Sequence, residues 1–234
     1  MKLAIDIGNT FVKIGFFENN LLVKVAERLT LPTAIEVLKN TTAETVVLCD
    51  VANKAEAITT ILPENTVIQK LTYQTPVPIQ NNYETPQTLG MDRLAAVLGA
   101  YHLFPNTNCL VIDAGSCITY DFLTATGTYL GGAIALGLQL RFRALHEYTA
   151  KLPLLQATDQ PLTPIGTNTQ TAMQSGVIFG LTEEIKGIIR YYEQNFGEVQ
   201  VIFCGGDAQF LAAKIQQPTV QVQPYLLLYG LATL

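Results

Sequence analysis

Histidine is nearly absent from this chain: His102 and His146 are the only two among 234 residues, and they stand far apart from each other. Neither a histidine-built metal site nor a Ser-His-Asp triad has the material it needs. Basic runs are missing as well. Lysine and arginine nowhere cluster beyond a residue or two, and the formal net charge is −5, so the chain has no broad electrostatic claim on nucleic acid or an anionic membrane. No apolar run approaches the roughly 18 residues that span a bilayer, and no charged-then-apolar leader follows Met1. A cytoplasmic protein is the expectation. The four cysteines, Cys49, Cys109, Cys117 and Cys204, lack paired ligand spacing. Cys109 and Cys117 sit in apolar, strand-like context, so buried free thiols are expected rather than zinc ligands or disulfides.

What is present is a core-forming composition, 49% hydrophobic and 14% charged, which describes a compact globular chain long enough for one large domain or two ordinary ones. Residues 3–17, LAIDIGNTFVKIGFF, alternate as two strands about a Gly-Asn turn, and Glu18-Asn19-Asn20 leads into a third strand at 21–26. Periodicity then predicts a helix at 33–40, a buried strand at 45–49, a helix at 52–62 and a strand at 66–69. From Asn108 the pattern starts again, NCLVIDAGSCITYDFLTATGTYLGGAIALG. An offset of 107 sets Asp113 on Asp6, Gly115 on Gly8, Ser116 on Asn9 and the turn Thr126-Gly127 on Asn19-Asn20. Residues 166–194 read as mostly helical, and 199–203 as a strand ending in Gly205-Gly206. The chain therefore divides into two similar α/β halves, 1–105 and 106–234, each opening with a three-stranded antiparallel meander.

Asp6 closes the first strand where a plain hairpin would accept valine. It either caps its own turn, as Asx-turns do, or it faces something charged. Gly8 lets a ligand approach the backbone, and the N–H groups of Gly8, Asn9 and Thr10 with the Thr10 hydroxyl and Lys13 ammonium could cradle phosphate oxygens. A carboxylate beside phosphate requires an intervening cation, and Mg²⁺ held through one carboxylate and waters suits that place. The matched turn at Asp113 favours the ligand reading. Asp92 and Arg93 fall in the first turn of a helix whose apolar positions are Leu94, Val97, Leu98 and Tyr101. An arginine there opposes the helix dipole. The two are either a solvated ion pair, or an anion-binding Arg93 beside an Asp92 that removes a proton from a hydroxyl. Thr169 either caps the helix that follows it or reaches a ligand, and Ala172, Gly176 and Gly180 on that helix would permit close packing.

Five segments in order, DIGNT at 6–10, Y-x-x-P-x-x-LG-x-DR at 83–93, DAGS at 113–116, GGAI at 131–134 and NT-x-x-AMQSG at 168–176, resemble type III pantothenate kinase, a member of the actin-like ATPase and sugar-kinase superfold with RNase H-like halves. The resemblance covers nearly the whole chain. It implies ATP-dependent phosphorylation of pantothenate, the first step toward coenzyme A, by a homodimer. It further implies that Asp6, Ile7, Gly8, Asn9, Thr10, Phe11, Val12 and Lys13 form the nucleotide phosphate loop, with Ser116 contacting ATP and Asp6 holding Mg²⁺ through water. Tyr83, Gly90, Met91, Asp92, Arg93 and Thr169 would hold pantothenate, with Asp92 as the base, and Asp113 would bind a monovalent cation, K⁺ or NH₄⁺. The second turn carries Ser116 where the family usually has threonine, and Leu136 stands where a proline usually precedes Gly137. Other readings are a sugar-type kinase of the same superfold or a catalytically silent nucleotide-binding regulator.

Overall fold

The computed structural model describes residues 1–160 and 163–234. Along the chain run β1 (Lys2–Ile7), β2 (Val12–Glu18), β3 (Leu21–Leu29), α1 (Leu31–Lys39), β4 (Thr45–Asp50), α2 (Ala55–Thr59), β5 (Val67–Lys70), β6 (Gln80–Asn81) and α3 (Met91–Leu103). There follow β7 (Cys109–Ala114), β8 (Cys117–Leu123), β9 (Thr128–Leu136), α4 (Leu138–Glu147), α5 (Thr169–Gln174), α6 (Gly180–Phe196), β10 (Gln200–Cys204), α7 (Ala208–Ile215), β11 (Val220–Val222) and α8 (Leu226–Ala232). By packing, one unit comprises Met1–Thr107, Leu123–Gly131 and Tyr225–Leu234, and the other Asn108–Phe122 and Gly132–Pro224.

The sheet of the first unit has the order β3-β2-β1-β4-β5. β1 pairs antiparallel with β2, while β1–β4 and β4–β5 are parallel. The order follows from local chemistry: Asn19 and Asn20 both adopt left-handed φ, 49° and 64°, the conformation that a tight two-residue turn between twisted strands requires. In the other sheet β9-β8-β7-β10-β11 repeats that order, with β6 added beyond β9. The repeat anticipated at an offset of 107 residues is thus a repeat of topology. Both sheets are mixed and flanked by helices, as the meander-then-crossover pattern predicts.

Strand alternation in the first unit sorts two faces. Leu3, Ile5, Ile7, Ile14, Val46 and Leu48 form a core with Ala34 and Leu38 of α1 and Ala55 and Ile58 of α2. The opposite face meets the C-terminal helix: Phe17 lies edge-on to Tyr229 with centroids 5.9 Å apart, and a Cβ on Gly15 would stand 3.1 Å from a Leu228 methyl. α8 in turn packs on α3 at backbone contact. A Cβ on Gly99 would fall 2.1 Å from the Leu226 carbonyl, and one on Gly230 1.9 Å from that of Ala95. This double-glycine crossing fixes α3, whose first turn carries Asp92 and Arg93.

The other unit buries Leu110, Ile112, Phe122, Phe142, Ile185, Val201 and Phe203. The helix expected over 166–194 begins at Thr169, passes through a π-helical turn at Ser175–Phe179 and continues as α6. Cβ atoms on Gly176 and Gly180 would meet nothing within 4 Å among the described residues, so the close packing expected of these glycines is not made there. A part-buried polar clamp joins α4 to α6. Arg141 holds Glu184 through both carboxylate oxygens at 3.0 and 2.8 Å, and the Tyr120 hydroxyl donates to the same carboxylate at 2.9 Å. No helix among the described residues is long and apolar enough to cross a membrane.

Candidate active site

Register alone aligns Lys13, Asp6 and Cys49 across β2, β1 and β4, and side chains at paired positions leave the same face of a sheet. The Cys49 thiol is fully buried. Its proton is held far more tightly than an ordinary thiol's, first by burial, then by the negative charges of Asp6, Asp92 and Asp50, with only Lys70 opposing. Asp6 and Asp92, distant in sequence, therefore act on one point of the first unit.

The 6–13 segment is a tight loop between β1 and β2. The Gly8 N–H donates to the Phe11 carbonyl at 3.1 Å, so it closes the turn and does not face outward; the expectation that it serves a ligand is corrected. The N–H groups of Asn9 and Thr10 have no acceptor among the described residues, and both residues are exposed. The cradle thus begins one residue later. Ile7 and Val12 point into the core and offer only backbone, while Phe11 is exposed, with the Arg28 guanidinium 5.5 Å from its ring centre. From the side, the Val51 N–H donates to the Ile7 carbonyl at 3.2 Å, and the Lys54 ammonium to the Asn9 carbonyl at 3.4 Å.

At the start of α3, Gly90 is the N-cap residue and provides no side chain. The Asp92 carboxylate fills that space: Oδ1 accepts the Arg93 N–H at 2.8 Å, and a Cβ on Gly90 would lie 2.5 Å from it. Arg93 is only 5% exposed, so the solvated ion pair is not what the fold makes. Its guanidinium sits 5.5 Å from the centre of the Tyr83 ring, which lies parallel to Tyr129 at 6.3 Å. Met91 is half-buried beside them. Tyr83, Gly90, Met91, Asp92 and Arg93 thus form one cluster in the first unit.

In the other unit, Asp113 pairs in register with Cys204. Gly205 follows at φ +90°, and a Cβ there would strike the Asp113 carboxylate at 2.4 Å and the Ala114 carbonyl at 2.5 Å. Only glycine lets these two strand ends close so tightly. Ser116 is exposed at the turn; its carbonyl accepts the Gly137 N–H at 3.1 Å. Leu136, standing where a proline was expected, is held by another route, because its carbonyl accepts Arg141 Nε at 2.9 Å. Cys117 is exposed, unlike the other three cysteines, because the strand it opens begins at the turn; the expectation of burial fails there. The cap of α5 is Asn168, reciprocally bonded with Thr171. Thr169 is therefore not the cap, and its hydroxyl is exposed without a bond among the described residues.

Among the described residues no three acidic, histidine or cysteine side chains gather into a ready-made metal nest. Mg²⁺ carried by a nucleotide does not require such a nest, since one or two carboxylates with phosphate and water complete its shell. Sequence reasoning missed two features. One is the Asp50–Lys54 segment beside the loop, signalled only by an acid at the end of a buried strand. The other is a groove of about 820 Å³ in the second unit, lined by Phe179, Phe210, Lys186, Lys214 and Gly206, of which the Gly205-Gly206 pair was the visible trace.

With this geometry in view, comparison with known proteins is specific. A family model described as "Type III pantothenate kinase" matches residues 2–191. Curated relatives of that name include one from Flavobacterium johnsoniae, 40% identical and covering 97% of this chain and 94% of its own. One from Phocaeicola vulgatus is 39% identical over 99% of this chain and 96% of its own. Among solved structures, a Campylobacter jejuni protein described as a Baf family transcriptional activator shares the fold with a TM-score of 0.68 at 24% identity, covering 99% of this chain and 96% of that one. An activator of 2-hydroxyisocaproyl-CoA dehydratase from Clostridium difficile, solved with ADPNP, shares it with a TM-score of 0.54 at 13% identity, over 99% and 92% of the two chains.

Proposed function

The chain belongs to the type III pantothenate kinase family, and from that premise we propose how its own residues divide the work. The protein is an enzyme that phosphorylates pantothenate with ATP, the step that opens coenzyme A biosynthesis. Phosphoryl transfer demands little covalent chemistry of a protein; it demands in-line positioning, neutralised phosphate charge and a base at the attacking hydroxyl.

The observation that carries the assignment is the pairing, within the first unit, of a loop whose Asn9 and Thr10 N–H groups have no acceptor among the described residues with a helix start that fixes Asp92 beside the buried Arg93, which supports a phosphate side and a proton side. Asn9 and Thr10 N–H groups receive the phosphates, and Ser116 adds its hydroxyl. Asp6 would hold Mg²⁺ through water, and that ion supplies charge neutralisation on the phosphates. Asp92, pinned by its Oδ1 at the helix start, takes the hydroxyl proton with its other oxygen. It need not be strongly basic, because the proton leaves late in a loose transition state. Arg93, desolvated against Tyr83, pairs with the pantothenate carboxylate, and Thr169 gives a further hydroxyl contact. Asp113, with the Gly205 backbone closed over it, holds the monovalent cation. The groove bearing Phe179 and Phe210 takes the nucleoside. A cytoplasmic homodimer completes the reading.

The deciding experiment is pantothenate-dependent ADP release, with and without K⁺ and with sugars as competing acceptors. Turnover on pantothenate that K⁺ stimulates is expected. Turnover on a sugar alone, or ATP binding with no turnover, would overturn the assignment.

A further inference from the structure

We propose that Lys54 is a further phosphate-contacting residue of this enzyme, and that the buried carboxylate of Asp50 is the positioning group that delivers it. The inference rests on reading residues 6–13 as the phosphate loop.

The Asp50 side chain is 1% exposed yet fully employed. Its Oδ1 accepts the N–H groups of Ala52 at 3.2 Å and Lys54 at 3.1 Å; its Oδ2 accepts the Ala55 N–H at 2.9 Å and the Lys70 ammonium at 3.2 Å. One carboxylate therefore folds the whole 51–55 segment around itself. Two groups leave that segment for the phosphate loop, and they bracket Gly8. The Val51 N–H takes the Ile7 carbonyl at 3.2 Å, and the Lys54 ammonium takes the Asn9 carbonyl at 3.4 Å.

The chemistry of the loop asks for this cation. Lys13 stands directly across from Asp6 in the strand register, on the strand side of the loop, whereas Lys54 reaches the mouth of the loop at Asn9. A polyphosphate brought to the Asn9 and Thr10 N–H groups comes within reach of the Lys54 ammonium, which is already bonded to the Asn9 carbonyl. An ammonium has three N–H groups, and Lys54 spends one, at long range, on a carbonyl at the mouth of the loop. Lys54 is half-buried, but its bond to Asn9 lies at the surface, so the remaining two N–H groups can turn to phosphate oxygens at modest desolvation cost. Asp50 supplies what a flexible lysine lacks, a fixed point for its backbone.

The test uses the full-length enzyme with Lys54→Met, Lys54→Arg and Asp50→Asn, with KM for ATP and for pantothenate measured separately and MgATP binding followed by calorimetry. Lys54→Met is expected to raise the ATP KM and the MgATP dissociation constant about tenfold, the loss of one charge-assisted hydrogen bond, with the pantothenate KM unchanged. Lys54→Arg restores most of the affinity, and raising salt weakens ATP less in Lys54→Met than in the wild type. Asp50→Asn raises the ATP KM in the same selective way. An ATP KM within twofold of wild type in Lys54→Met, or an equal rise for both substrates, overturns the proposal. Should the wild type bind MgATP but not turn over pantothenate, the kinase assignment fails, and the calorimetric comparison of wild type with Lys54→Met still decides the role of Lys54.

Discussion

Asp6 and Asp92 press on the same buried thiol, that of Cys49, although one ends a strand and the other begins a helix far along the chain. On the proposed reading the two carboxylates have separate jobs, Asp6 toward the metal and Asp92 toward the proton. Asp92→Asn keeps the shape and the helix-start hydrogen bond but has no basic oxygen. Its kcat is expected to fall at least about a hundredfold, with MgATP affinity changed less than about threefold. Steady-state kinetics and calorimetry check both; a kcat near that of the wild type removes Asp92 from the base role.

Cys117 gives a simple accessibility test. Among the described residues it is the exposed cysteine, with Cys49, Cys109 and Cys204 buried, and burial pushes the Cys109 thiol up to about 12. A disulfide reagent at pH 8 should label one thiol rapidly in the native enzyme and four in denaturant. Because Cys117 adjoins Ser116, MgATP should slow that reaction. Labelling of two or more thiols at the fast rate contradicts the fold at β4, β7 or β10.

Gly99→Ala probes the crossing that holds α3. Its new methyl would lie 2.1 Å from the Leu226 carbonyl, and backbone cannot swing aside as a side chain can. A loss of about 3 kcal/mol, the upper end of overpacking costs, is expected in denaturant titrations, with the surviving activity reduced because α3 carries Asp92. Gly176→Ala, where a Cβ would meet nothing within 4 Å among the described residues, is the control and should gain slightly from helix propensity.

Acid should loosen the Asp50 hub. Burial alone would raise its carboxyl, but the Lys54 and Ala55 N–H groups and the Lys70 ammonium outweigh burial and hold it below the ordinary 3.8. A depressed folded value means that the unfolded chain binds the proton more readily. The stability that Asp50 contributes is thus present above pH 3.8 and is lost as pH falls through the lower folded value. Asp50→Asn should cost about 2 kcal/mol at pH 7, and its deficit relative to wild type should shrink in melts below pH 3.5 or so. A deficit that stays constant into acid would deny the charge any part in it.

What the sequence by itself determined was whatever depends on neighbours a few residues away. Alternation specified both meanders, Asn19-Asn20 and Thr126-Gly127 specified their turns, and the two Asp-x-Gly segments marked equivalent strand ends, because strand period and left-handed turn residues are local matters. The clustered motifs marked Asp6, Asp92, Arg93 and Asp113 before any geometry was in hand. Only the tertiary structure decided which groups meet. Arg93 is buried against Tyr83, and Phe17 lies edge-on to Tyr229 of the last helix. Asp50 gathers Lys54 toward Asn9 through strand pairing that joins β1 to β4. Those contacts follow from register and helix packing between distant segments, and no window of neighbouring residues contains the free energy that selects them.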